Sequence, residues 1–174
     1  MAIRREGSVL SSADVLEMQK EQFRHDRRNH CDILSLHKND RLKHYGLHFC
    51  KYVGRLARGS EEEKSVTRTV VDTVLVSLSA ANTLHQRLDA VSAIPTYQTA
   101  QKDILRPFAD ASGRFADACE KIDHLEEFVG IAKKANVDIL QWAIGYSFDL
   151  NINISVELAA RRKMLAERQF YIAE

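Results

Sequence analysis

The residues best placed for chemistry are acids, cations and imidazoles at helical spacing. Asp72 lies in the apolar stretch Thr67 to Leu88, TRTVVDTVLVSLSAANTLHQRL, which also holds Asn82. A second stretch, Ala135 to Leu150 (ANVDILQWAIGYSFDL), carries Asp138 early and Asp149 late. A carboxylate inside an apolar helix needs a partner, because isolated buried charge is costly. That partner is either an ion pair, with Arg55 the candidate for Asp72, or a metal. Lys51, Arg55 and Arg58 share one side of a helix, an arrangement suited to phosphate or to a salt-bridged surface. His44 and His48 stand one turn apart, a spacing that chelates Zn²⁺ or Ni²⁺ and equally that of two surface histidines. Glu120, His124, Glu127 and Asp138 read either as a mixed carboxylate–imidazole metal site or as a solvated face. Trp142 and Tyr146, also one turn apart, read as core rather than as a base-stacking platform.

The elements that must carry these groups are helices. Thr67 to Leu88 has no Gly or Pro and is apolar around most of a helical projection, so it predicts a helix buried on most sides. Ala135 to Leu150 repeats that plan. Before them, Ser12 is a candidate N-cap for a helix over about Ala13 to Asn29. Its apolar stripe is narrow (Val15, Leu16, Gln19, Phe23), and its polar end, RHDRRNH, suggests a surface helix. HCDILSLHKND reads as a loop, with Ile33, Leu34 and Leu36 against the core. A helix over about Asp40 to Arg58 buries Leu42, Tyr45, Phe49, Val53 and Leu56. GSEEEKS links it to the first central helix. Thr96 to about Gly130 is again helical, with Pro107 expected to kink or divide it. A break near Lys133 to Asn136 is expected before the second central helix, and a last helix runs from Ser155 to about Tyr171. No strand pattern of useful length occurs. The fold class is all-α, a helical bundle.

With 174 residues, 45% of them hydrophobic, and only two prolines and seven glycines, the chain suits one ordered domain over residues 1–174. Its net charge of +1 is unevenly spread. Residues 1–60 hold 12 Lys/Arg against seven Asp/Glu, a net of +5 that leaves −4 for the remainder, and five of the seven histidines. This permits phosphate contact, but nucleic acid is not indicated as a partner. Cys31, Cys50 and Cys119 form no CxxC pair and predict a reducing compartment without disulfides. The N-terminus lacks the apolar run of a signal peptide, and no stretch has the length of a membrane span. The expectation is a cytoplasmic protein with no membrane partner.

LHFCKYVGRLAR, followed after a polar linker by TVVDTVLVSLSAANTL, resembles the MazG-like superfamily of all-α nucleoside triphosphate pyrophosphohydrolases, with its all-α dUTPases and dCTPases. In that family a helix with E-E-x-x-E, in a phrase like EEVGELAE, faces a helix with E-x-x-D. Their carboxylates gather Mg²⁺, which binds the triphosphate and activates water. The framework survives here in Val53, Gly54, Leu56 and Ala57. The acids do not: Lys51, Tyr52 and Arg55 occupy the three acidic positions, and Arg58 stands where another Glu often follows. Asp72 matches the facing Asp, Thr69 replaces its Glu, and Ala81-Asn82 matches a feature of the family's third helix. Cations there would repel Mg²⁺, so on this resemblance the family's metal site is lost in the first half.

The second half, residues 93–174, is a weaker echo of the first, residues 1–92. EKIDHLEE overlays the same phrase, with Glu120 on the first Glu, Lys121 and His124 on the others, and Asp138 on the facing Asp. A second register sets Glu126 and Glu127 on the paired acids. NISVELAARRKMLAERQ resembles the family's basic last helix. The resemblance therefore implies a MazG-like bundle, built either once or by internal duplication. It implies a protein catalytically silent or repurposed to bind a nucleotide or other phosphate through Lys51, Arg55, Asp72 and Asn82. No catalytic residue is assigned. The enzyme alternative is a Mg²⁺-dependent pyrophosphohydrolase using Glu120, His124, Glu127 and Asp138; the third is a structural or oligomerisation module. A homodimer is implied by the family, unless duplicated halves supply the four-helix core within one chain.

Overall fold

A computed structural model describes residues 10–88 and 103–168. The described residues form α-helices and no strand: α1 (Ser12–Asn29), α2 (Cys31–Leu34), α3 (Lys38–Arg58), α4 (Val66–Thr83), α5 (Leu105–Asp123), α6 (Val129–Asp149) and α7 (Ile154–Arg168). A short 3₁₀ turn, Gly59–Glu61, follows α3. The all-α bundle expected from the periodicity is the fold. No described helix is long and apolar enough to cross a membrane.

Helix α4 is the hub. Ser65 caps it by accepting the Arg68 N–H at 3.1 Å. Packing against α1, α3, α6 and α7 then buries it on nearly every side, as its apolar circumference requires. Its buried hydroxyls find partners: Thr73 donates to the Thr69 carbonyl at 2.7 Å, and Ser77 donates to the Asn136 side chain at 2.8 Å. Buried hydroxyls left unpaired would each cost about 1–3 kcal/mol. The helix ends sooner than its sequence suggests, because the chain turns at His85 (φ 49°), while Leu84 and Leu88 remain buried beyond it.

Helices α3, α4, α6 and α5 contact one another in a closed ring within a single chain. Phe49 of α3 meets Phe115 of α5 edge-on at 5.0 Å, and Phe108 of α5 stacks on Trp142 of α6 at 4.1 Å. Trp142 is thus core, as expected, with its indole N–H on the Ile104 carbonyl. Gly46 sits at the α3–α5 crossing, where a Cβ would lie 3.3 Å from the Cys119 sulfur. Helices α1 and α7 cover the other side of α4 and touch each other. Arg162 ties them together, donating to Gln22, Glu21 and the Met18 carbonyl.

Several boundaries differ from the expected ones for identifiable reasons. The N-cap of α1 is Ser11 rather than Ser12, in a reciprocal capping box with Asp14. Pro107 kinks nothing, because it lies in the first turn of α5, where backbone N–H groups have no intrahelical partner to lose. The part of the expected helix before residue 103 lies outside the described residues. Helix α5 ends at Asp123 rather than near Gly130, and the break falls at Leu125 (φ 58°, 95% exposed) instead of Lys133 to Asn136. Asn136 belongs inside α6, fully buried and locked to Ser77. The polar end of α1 is also buried: Gln22, His25, Asp26 and Asn29 face inward, while Phe23 points to solvent.

Candidate functional site

On the α1–α3–α7 side of α4 the helices leave a cavity of about 350 Å³. Six cations line it: Lys51 and Arg55 from α3, Lys64 from the linker, Arg68 from α4, and Arg161 and Arg168 from α7. Two carboxylates oppose them, Asp26 and Asp72. An apolar wall of Ile33, Leu34, Leu75, Val76 and Leu165 completes the lining, with Tyr45 and Tyr52 beside it.

Asp72 organises the cations. Arg161 Nε donates to its Oδ1 at 2.7 Å, Arg68 Nε lies 3.1 Å from its Oδ2, and Arg55 Nη1 is 3.5 Å from the same oxygen. The ion pair anticipated between Arg55 and Asp72 is therefore present, but it is the longest of three. One carboxylate shared by three guanidiniums leaves an excess of positive charge around a largely buried acid. Arg161 is only 9% exposed, and its buried Nη1 has no hydrogen-bond partner. A buried donor without an acceptor is unfavourable, and a charged one more so.

The imidazoles form a second group on the same wall. His44 and His48 touch through their Nε2 atoms at 3.1 Å, and His48 Nδ1 lies 3.0 Å from the Tyr52 hydroxyl and 3.1 Å from Lys51 Nζ. Burial pushes His48 down to about 4, with Lys51 adding to the effect, and lowers His44 likewise. Burial and Arg55 lower Lys51, while burial and Asp72 raise the Tyr52 hydroxyl. Both Lys51 and Arg55 pack over the Tyr52 ring at 5.1 Å. Asp26 accepts from Gln22 at 2.8 Å and from Ser79 at 2.6 Å, yet burial still pushes it up to about 6. His25, beside it, is pushed down to about 4 by burial.

Of the residues singled out in sequence, Lys51, Arg55 and Asp72 meet in this cavity. Asn82 does not line it. Its amide instead exchanges hydrogen bonds with Gln19, at 3.1 and 3.2 Å, and so clamps α1 to α4. Arg58 is turned to Glu62. The four second-half residues are not brought into one cluster: His124 pairs with Glu120 at 3.0 Å in solvent, Asp138 pairs with Arg114 at 2.8 Å, and Glu127 caps the Gly130 N–H at 3.2 Å. Sequence reasoning does not find Arg161, Arg68, Asp26, His25 or His30. For α1 a signal is present, since Val15, Gln19, Gln22, Asp26 and Asn29 continue one helical stripe in polar residues.

Comparison with protein-family models, with curated proteins and with solved structures finds no match to the chain.

Proposed function

We propose that the cavity binds a phosphate-bearing ligand of the nucleoside phosphate class, on a MazG-like scaffold whose Mg²⁺-binding acids have given way to cations. The observation that carries this reading is Arg161, a buried guanidinium with a free donor beside a carboxylate it already shares with Arg55 and Arg68. Excess positive charge in a poorly solvated site favours a counter-anion, and a phosphate offers several acceptor oxygens to guanidinium forks. The apolar wall opposite supplies a surface for the less polar part of such a ligand. Lys51, Tyr52 and Arg55, which stand where the family's acids would be, all line this cavity. A ligand held there is neutralised directly, without a bridging metal.

The test is calorimetric titration of the metal-free chain with inorganic phosphate, pyrophosphate and nucleoside mono- and triphosphates, with melting temperature read in parallel. Binding without Mg²⁺ is expected, tightest where phosphate and nucleoside are joined. Lys51→Ala and Arg55→Gln each lower affinity about tenfold or more, as loss of a charge-assisted hydrogen bond worth about 1.5–3 kcal/mol implies. Absence of binding by every anion, or binding untouched by both substitutions, overturns the reading.

A further inference from the structure

We propose that His25, Asp26 and His30 form a binding site for a divalent transition-metal ion of the zinc type, set into the wall of the same cavity. One ligand atom from each of these three side chains lies within 4.8 Å of the others, the only such group of His, Cys, Asp or Glu among the described residues. His25 and Asp26 adjoin near the end of α1. His30, four residues on, shares the face of Asp26 in a continued helix, but five residues would carry its ring roughly 140° round from that of His25. The helix stops instead: His30 is its C-cap, with φ −132° and ψ 41°, and its ring folds back to lie 5.3 Å from that of His25.

Two further observations point to a ligand. His25 is only 9% exposed, and its buried Nε2 has no hydrogen-bond partner. The other nitrogen, Nδ1, lies 3.1 Å from the Asn29 amide. Ligation through Nε2 puts the proton on Nδ1 and displaces the Asn29 amide from the ring; that amide also donates to the His25 carbonyl at 3.2 Å. Asp26 is fixed by Gln22 and Ser79, the type of outer-shell support that orients metal-bound carboxylates. Two imidazoles and one carboxylate make a three-ligand set with the fourth position open. Asp26 and His30 line the cavity. Nitrogen ligands select a zinc-type ion over Mg²⁺, which takes oxygen. The His44–His48 pair is the poorer site, because it brings no carboxylate and has the Lys51 ammonium against His48, whereas the cations nearest the α1 group, Arg161 and Arg162, are paired to Asp72 and Glu21.

This assignment does not rest on phosphate binding. The test uses the full chain, stripped of metal and in phosphate-free buffer, titrated with Zn²⁺ by calorimetry and with Co²⁺ by visible absorption. Uptake of one Zn²⁺ per chain, a raised melting temperature and Co²⁺ ligand-field bands are expected. Truncating buried His25 risks unfolding, so the diagnostic variants are His30→Gln and Asp26→Asn, with helicity checked by circular dichroism. Each lowers Zn²⁺ affinity by more than the ~10–100-fold that loss of an outer-shell group produces. Ser79→Ala falls within that range, and His44→Gln leaves affinity unchanged. No Zn²⁺ uptake by the folded chain, uptake indifferent to both diagnostic variants, or uptake abolished by His44→Gln overturns the assignment. Phosphate titration of the same stripped protein reports the anion site independently of any of these outcomes.

Discussion

Asp72 and Asp138 occupy similar places in sequence, each early in a long apolar helix, and the structure treats them differently. The Asp72 side chain is 9% exposed and holds three arginines in a cavity; that of Asp138 is 37% exposed and pairs with Arg114, which also serves Asp110. The difference comes from what covers each helix. Helix α4 is enclosed by α1, α3, α6 and α7, and α7 brings Arg161 over its acid. Helix α6 is covered by α4 and α5, which leaves Asp138 at the edge. An acid in an apolar run thus signals a site only when a later element closes over it.

The sharpest way to break the comparison is to neutralise each acid in turn. Asp72→Asn strips the partner from buried guanidiniums and should destabilise by about 3–5 kcal/mol, whereas Asp138→Asn should cost about 0–1 kcal/mol, the range of exposed pairs. Urea denaturation of both variants measures this. Phosphate in the buffer should restore part of the Asp72→Asn loss and none of the Asp138→Asn loss. Equal losses would mean that the two sites are alike.

Titration should separate the same two regions. His25 and His48 are lowered from 6.5 to about 4, so between those values the unfolded chain binds protons that the folded chain does not, and stability rises with pH. Asp26 is raised from 3.8 to about 6, so over that interval the folded chain holds the extra proton and stability falls as pH rises. Two histidines outweigh one aspartate. From these three groups the expected net gain from pH 4 to 6.5 is at most roughly 4 kcal/mol, at ~1.36 kcal/mol for each pKa unit separating folded from unfolded chain, and His30 and His44, lowered likewise by burial, act in the same direction. Asp26→Asn removes the opposing contribution, so denaturation midpoints should climb more steeply with pH in that variant. A flat profile in the wild type, or an unchanged slope in Asp26→Asn, would show that α1 is solvated rather than buried.

How much of this is legible in the sequence follows from the range of each interaction. The enclosure of α4 is written in local periodicity, and the pairing of Arg55 with Asp72 follows from a lone acid in an apolar helix needing a partner; the place of Lys51 and Tyr52 opposite Asp72 is implied only by the family resemblance. Arg161 cannot be read, because it reaches Asp72 across 89 positions and nothing in either segment names the other. The buried polar end of α1 is hidden differently. Its residues keep the 3–4 spacing of a core face, but periodicity is weighed by apolarity, and Gln22, Asp26 and Asn29 count as solvated until a partner such as Ser79 is seen. Pro107 misleads because its cost depends on distance from the helix start, which is marked by Asp103, whose carboxylate accepts the Arg106 N–H at 3.1 Å.

Asn82 divides the two regions in a smaller way. Its exchange of hydrogen bonds with Gln19 makes it a strut between α1 and α4, not a ligand of the cavity. Asn82→Ala should therefore lower stability by about 1–3 kcal/mol, the cost of leaving buried partners unmet, while phosphate affinity stays within about twofold of the wild type. Calorimetry on the folded variant decides it, and a large affinity loss at full stability would return Asn82 to the binding site.

The smallest effect expected is at Glu120 and His124. Both side chains are more than half exposed, and their contact at 3.0 Å joins neighbouring turns at the end of α5. Exposed pairs one turn apart contribute about 0.3–0.5 kcal/mol, and this one only while the imidazole is charged. Glu120→Gln should then change the denaturation midpoint hardly at all. Because the acids and imidazole of this end each have a local partner and share no enclosed space, Zn²⁺ and Mg²⁺ affinity should be the same in Glu120→Gln as in the wild type. A metal affinity that fell with Glu120 would move the metal centre from the α1 wall to α5, and would make the second half, not the first, the chemical side of the molecule.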